Sequence, residues 1–120
     1  MVMKKMPQIL PQEVWFAEFP FADDKQQFKE RPVIVLDVDD ETCSVFSMKI
    51  TSHKPYDEFE IELFDWANIP LDHISTAVAS QVIEIHKTNF RRKIGWLSND
   101  DWENINDLHN RYLKSIGLNF

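Results

Sequence analysis

The chain is poor in several residues on which common chemistries depend. Its single cysteine, Cys43, excludes an intrachain disulfide and any zinc cluster built on cysteines, and it fits a reducing compartment. Its two glycines, Gly95 and Gly117, stand too far apart for a glycine-rich phosphate loop or a dinucleotide fingerprint. Both motifs need clustered glycines so that the backbone can approach phosphate closely. No Gly-x-Ser-x-Gly elbow occurs. His53, His73, His86 and His109 are spaced by 20, 13 and 23 residues, so no helical turn sets two of them side by side as metal ligands. The expectation is therefore no metal and no cofactor. No apolar run approaches the roughly 18 residues of a membrane span, and the first ten residues, with Lys4 and Lys5, lack the apolar centre of a secretory signal. A soluble, cytoplasmic protein without a membrane partner is expected.

Basic side chains are also scarce: 13 Lys and Arg against 20 Asp and Glu give a net charge of −7 over 120 residues. That length suits one domain, and the negative balance repels nucleic acid and anionic membrane on average. The charge is uneven, however. Residues 37–65 hold nine acids and two lysines, whereas residues 87–93 carry Lys87, Arg91, Arg92 and Lys93 with no acid. A general nucleic-acid coat is excluded, but a localised basic rim is not. Residues 87–93 read either as that rim, facing RNA or an acidic partner, or as a solvated face.

Residues 1–12, interrupted by Pro7 and Pro11, read as a loose leader, and residues 13–120 as the single domain. EVWFAEF (13–19) is a first strand, and residues 21–30, with Asp23 and Asp24, form a solvated loop. PVIVLDV (32–38) is nearly all apolar, as expected of a strand buried on both faces or in a small barrel. After the acidic turn at Asp39 and Asp40, residues 42–51 alternate as a third strand. In residues 58–63, Phe59, Ile61 and Leu63 alternate with Glu58, Glu60 and Glu62, which predicts a half-buried strand with an acidic outer face. Residues 76–85 make a fifth. Residues 98–116 then show helical spacing through Trp102, Ile105, Leu108, Tyr112, Leu113 and Ile116. Ser98 serves as the N-cap, Asp100 and Asp101 stand at the positive end, and Gly117 provides a left-handed stop. The fold class is mainly β with a C-terminal α-helix.

One constellation points to chemistry. Arg31 begins the second strand, and Thr51, Ser52 and His53 end the third. In an antiparallel hairpin these positions meet at one rim of the sheet. An arginine beside hydroxyl and imidazole groups can hold a phosphate and manage its protons. The plainer alternative is a rim ion pair of Arg31 with Glu30 or Asp57, beside a hydroxyl-capped turn. Trp15, Phe16, Phe19 and Phe21 could stack unpaired bases, although strand periodicity assigns most of them to the core.

In order along the chain, EVWFAEFPFADD, KERPVIVLDVDD, KITSH, ASQVIEI and KIGWLSNDDWENI resemble the PemK/MazF-like toxins, the ribonuclease members of bacterial toxin–antitoxin pairs. The resemblance runs from about residue 11 to residue 114. It implies a small SH3-like β-barrel of the PemK/MazF/CcdB type, commonly dimeric. It also implies metal-independent cleavage of single-stranded RNA, such as messenger RNA, by 2′-hydroxyl attack that leaves a 2′,3′-cyclic phosphate, under restraint by a cognate antitoxin. On this pattern Arg31 binds phosphate and assists proton transfer, Thr51 hydrogen-bonds the phosphate or the attacking hydroxyl, and Gln81 helps hold the RNA. His53, which follows the Thr-Ser pair, is the attractive general acid or base, because the unperturbed pKa of an imidazole lies near neutrality. Ser52 supports it, and Lys87, Arg91 and Arg92 are further substrate-binding candidates. Two departures stand out. Many relatives open with Gly-Asp where this chain has Gln12-Glu13, and after Gln81 the family's Arg-Thr-Ile-Asp-Lys is replaced by Ile83-Glu84-Ile85-His86-Lys87. The alternative function is a non-catalytic small-barrel binding module that keeps the fold and has lost efficient cleavage.

Overall fold

The apolar run PVIVLDV sets the architecture, because its residues are buried alternately on both faces of one sheet. A computed structural model describes residues 8–20 and 28–118. Six antiparallel strands, β1 (Glu13–Pro20), β2 (Phe28–Asp39), β3 (Ser44–Thr51), β4 (Glu60–Glu62), β5 (Thr76–His86) and β6 (Phe90–Trp96), precede one helix, α1 (Asn99–Ser115). They are ordered β4-β5-β3-β2-β1-β6 in a single sheet. Val33 and Val35 pack on one face with Ile9, Trp15, Ala17, Phe19, Val45, Ile85 and Phe90. Ile34 faces the other way, into a cluster with Val14, Met48, Ile50, Ala77 and the helical Ile105 and Leu108. The central strands are thus covered on both sides, as the continuous apolar pattern demands.

The helix is bounded by the signals read in the sequence. The Ser98 hydroxyl accepts the Asp101 N–H at 3.1 Å, and Gly117 has φ +87° at the stop. Asp101 does more than complement the helix dipole. It is 3% exposed, and its two carboxylate oxygens accept the N–H groups of Phe64 and Asp65 at 2.9 and 3.0 Å. The first turn of α1 is thereby tied to the connection between β4 and β5.

Several boundaries differ from the sequence expectation. β2 begins at Phe28 and pairs with β1 from Pro20↔Phe28 onward, so residues 28–30 belong to a strand; the rest of the expected loop, residues 21–27 with Phe21, Asp23 and Asp24, lies outside the described residues. The end of the expected leader is packed, since Ile9 is 4% exposed and the Gln12 N–H donates to the Val35 carbonyl. β4 is only three residues long. Its acidic face is not all outward: the Glu60 side chain is 7% exposed. β6 is an additional strand. Residues 87–93 contain a short 3₁₀ turn (Lys87–Asn89) and then β6, which pairs with β1. Three successive charged residues mask a strand in which Arg91 and Lys93 find carboxylate partners across the sheet on β1.

β4 and β6 are the two edges and do not pair with each other, so the hydrogen-bonded ladder is open. The curl still brings its ends together. A Cβ built on Gly95 of β6 would lie 1.7 Å from the Ile69 carbonyl oxygen in the connection after β4. Only glycine fits there. Gly95→Ala is expected to lower stability by about 3 kcal/mol or more, because the obstacle is backbone and cannot rotate away; a denaturant midpoint within error of the parent would contradict this close approach.

Candidate functional site

The Arg31 and Thr51 positions converge through strand register. Val33 pairs with Lys49, and continuing that register by one same-face step sets Arg31 opposite Thr51 at the sheet rim. The connection leading into β5 folds across this rim and closes a cleft of about 270 Å³. Arg31, Thr51, Ser52 and His73 supply its polar chemistry, while Phe16, Pro32, Ile50 and Leu71 give it apolar surface. Lys29, Glu30 and Asp72 also border it. Thr51 is 6% exposed, and its Oγ1 has no hydrogen-bond partner among the described residues. A buried hydroxyl left in that state costs about 1–3 kcal/mol.

The other expected site residues are placed variously. Ser52 is exposed at the cleft. His53 does not line it. The imidazole stacks on Tyr56 with centroids 4.2 Å apart, and its Nδ1 lies 2.9 Å from the Lys54 carbonyl oxygen and 3.8 Å from Glu60 Oε1. Gln81 is half-buried within the segment of β5 that bulges between the Met48↔Val82 and Lys49↔Val78 pairs, outside the cleft lining. His73 was not singled out in the sequence. It sits in an irregular connection with no periodicity, and only the folding of that connection over the rim brings it to Arg31.

The basic segment is largely neutralised within the chain. Lys87 pairs with Asp40 at 2.6 Å, Arg91 with Glu18 at 2.5 Å, and Lys93 with Glu13 at 2.7 Å. Arg92 alone of the four has no carboxylate partner among the described residues. Its guanidinium lies 4.6 Å from the centroid of the Phe16 ring, so it adjoins the cleft that Phe16 lines. Glu13 is 2% exposed. Burial would raise its pKa, but Lys93, the Leu10 N–H and the Trp15 indole N–H all bond its carboxylate and hold the net value below the ordinary 4.5. The Leu10 and Trp15 bonds measure 2.8 and 3.0 Å. Gln12 adopts φ +76°, in the left-handed region. Its side-chain amide donates to the Leu97 carbonyl and to Asn99 Oδ1, both at 2.9 Å.

A half-buried cation also neighbours the cleft. Burial, and then the repulsion of Arg31, depress the pKa of Lys49, with Glu60 acting in the opposite direction. Glu60 Oε1 is the second buried side-chain atom without a hydrogen-bond partner among the described residues.

These elements define a small, strongly curled antiparallel sheet with a helix on one face and an Arg–Thr cleft at the rim. The sequence profile of PemK-like, MazF-like toxins of type II toxin–antitoxin systems matches residues 11–111. The chain belongs to that family. Solved structures share its fold. MazF from Deinococcus radiodurans superposes with a TM-score of 0.71 at 16% identity, covering 92% of this chain and 99% of that one. An endoribonuclease in complex with its cognate antitoxin, from a mycobacterial species, gives 0.69 at 11% identity over 94% and 99%. The Mycobacterium tuberculosis toxin MazF-mt6 gives 0.67 at 18% identity over 90% and 99%. No curated protein sequence matches the chain.

The Glu13 environment gives a signed pH dependence. Its folded pKa lies below the unfolded value, so its stabilisation is complete above about 4.5 and vanishes as pH falls through the lowered folded value. Glu13→Gln should therefore be less stable than the parent at pH 7, with the gap closing as pH drops below about 4.5. Denaturant midpoints at pH 7 and in acid measure this; a gap that widens in acid would refute it.

Proposed function

We propose that the chain is the toxin of a toxin–antitoxin pair and cuts single-stranded RNA, such as messenger RNA, without a metal ion. The ribose 2′-oxygen attacks the adjacent phosphorus and gives up its proton. The bond to the 5′-oxygen breaks, that oxygen takes a proton, and a 2′,3′-cyclic phosphate remains. The observation that carries this reading is the shared cleft of Arg31 and the buried, unpartnered Thr51 hydroxyl. A guanidinium fork and a fixed hydroxyl beside it suit the charge that develops on the phosphorane oxygens. Ser52 adds a second hydroxyl at the cleft, and Arg92 a cation at the Phe16 end. Gln81, Lys87 and Arg91 would meet RNA only beyond the cleft. Of the two imidazoles nearest the rim, His73 is placed to exchange protons with a substrate in the cleft, and His53 stands to its side.

Membership of the toxin–antitoxin family, and the fold shared with an endoribonuclease bound to its antitoxin, support the same reading. A cognate antitoxin, a homodimer and a cytoplasmic setting belong to it. The internal pairing of Lys87, Arg91 and Lys93 favours a second reading, a binding module that holds its ligand without cutting it.

Mixed-sequence RNA incubated in excess chelator separates the two. Cleavage with cyclic-phosphate ends is expected, reduced about 10²–10³-fold in Arg31→Ala. RNA that is bound but stays intact at high protein concentration supports the module and overturns the enzyme. Thr51→Val should cost about 10²-fold in rate yet raise stability by about 1 kcal/mol, because it removes a buried unpartnered hydroxyl. Loss of both rate and stability would assign Thr51 a structural role instead. His73→Ala is expected to lower kcat more than His53→Ala, and the reverse order would return the proton-transfer role to His53.

A further inference from the structure

Lys49 was given no role by the sequence, and its position is unusual. It lies two residues before Thr51 on the same face of β3. Its partner on β2 is Val33, two residues from Arg31 on the same face of that strand. Arg31, Lys49 and Thr51 therefore occupy one face at one end of the sheet. Among the described residues the half-buried cations are Arg31, Lys49 and Lys87. Lys87 has Asp40 beside it, whereas Arg31 and Lys49 have no carboxylate within 4.0 Å among the described residues and instead repel each other. Two like charges held together away from full solvent are unfavourable until an anion joins them.

The nearest acid is placed to keep Lys49 charged without occupying it. Val78 of β5 pairs with Lys49 on one side and with Glu60 of β4 on the other, so Lys49 and Glu60 share the face across Val78. Glu60 raises the pKa of Lys49, yet it forms no ion pair with it; its Oε1 has no hydrogen-bond partner among the described residues and lies 3.8 Å from His53 Nδ1. Residues two apart on one strand face lie about 6.7 Å from each other, a spacing suited to successive phosphates of an extended single strand.

Resting on the RNA-cleaving function proposed above, we propose that Lys49 is a second phosphate-binding group, which holds the RNA phosphate next to the one at Arg31 and Thr51. The scissile phosphate occupies the cleft, and the strand leaves it across the sheet face over Lys49. This extends the site from a cutting point to a two-phosphate track.

The test uses the full chain and a short single-stranded RNA containing the cleaved step, with a 2′-deoxyribose there to block reaction. Each neighbouring phosphate is replaced in turn by an uncharged methylphosphonate. Lys49→Met is expected to weaken binding of the unmodified RNA about tenfold, as loss of a charge-assisted contact does. It should also flatten the slope of log affinity against log salt by about 0.7. One of the two methylphosphonates should abolish the difference between variant and parent. Lys49→Arg should restore most of the affinity, and thermal melts of Lys49→Met and Lys49→Gln should show no loss of stability. A tenfold effect that persists with both methylphosphonates overturns the neighbouring-phosphate assignment and moves Lys49 to the scissile phosphate. Binding that depends on Arg31 but not on Lys49 overturns the inference alone. Absence of RNA binding by the parent overturns the proposed function itself.

Discussion

Burial of β2 and β3 on both faces is the constraint from which the rest of the structure follows. With Val33 and Val35 committed to one core and Ile34 to the other, the apolar middle of these strands offers a ligand no surface, and the half-buried Lys49, opposite Val33, lies toward the rim. Polar chemistry is forced to the strand ends, where the register delivers Arg31 and Thr51 to the same rim. An apolar interior also makes a misplaced hydroxyl expensive. Thr51 Oγ1, without a hydrogen-bond partner among the described residues, is a local cost in stability beside the cleft, the pattern expected where function and folding compete.

Electrostatics follow the same division between interior bookkeeping and rim chemistry. The concentrated positive charge of residues 87–93 is spent mostly on Asp40, Glu18 and Glu13, which fastens β6 to β1 and the turn before it to the β2–β3 hairpin. The cations left without acids among the described residues near the cleft are Lys29, Arg31, Lys49 and Arg92. The net charge of −7 therefore describes the surface at large and says little about the field at the cleft. Lys29 and Arg31 in the cleft lining are matched by Glu30 and Asp72, and only Lys49 and Arg92 beside it add positive charge, so the long-range attraction of an anion to this rim is weak and strongly salt-dependent.

Much of this was legible in the sequence, for identifiable reasons. The first three strands, β5 and the helix announced themselves because each has an apolar period that matches its geometry, and Ser98 and Gly117 bracket the helix with unambiguous caps. The rim was legible because an antiparallel hairpin fixes which residues share an end, so Arg31 and Thr51 could be paired without coordinates. β6 was hidden because Arg91, Arg92 and Lys93 read as solvated charge until their partners on β1 are known. Glu60 misled for a related reason: alternation assigns it outward, but cross-strand packing beside Val78 buries it. His73 could not be found at all, since its place depends on how an aperiodic connection lies over the rim. Local pattern specifies elements, and the site residues it missed are those positioned by contacts distant in sequence.

The bidentate grip of Asp101 on the Phe64 and Asp65 N–H groups has a mechanical consequence. The connection that begins at Phe64 ends at Ser75, whose carbonyl accepts the Leu63 N–H at 2.8 Å, so it is a strap anchored at its two ends. One anchor is the sheet, and the other is the first turn of α1. Because this strap bears His73 and forms one wall of the cleft, the helix and the wall are leashed together. Displacing the first turn of α1 would break the two hydrogen bonds that fix the start of this wall.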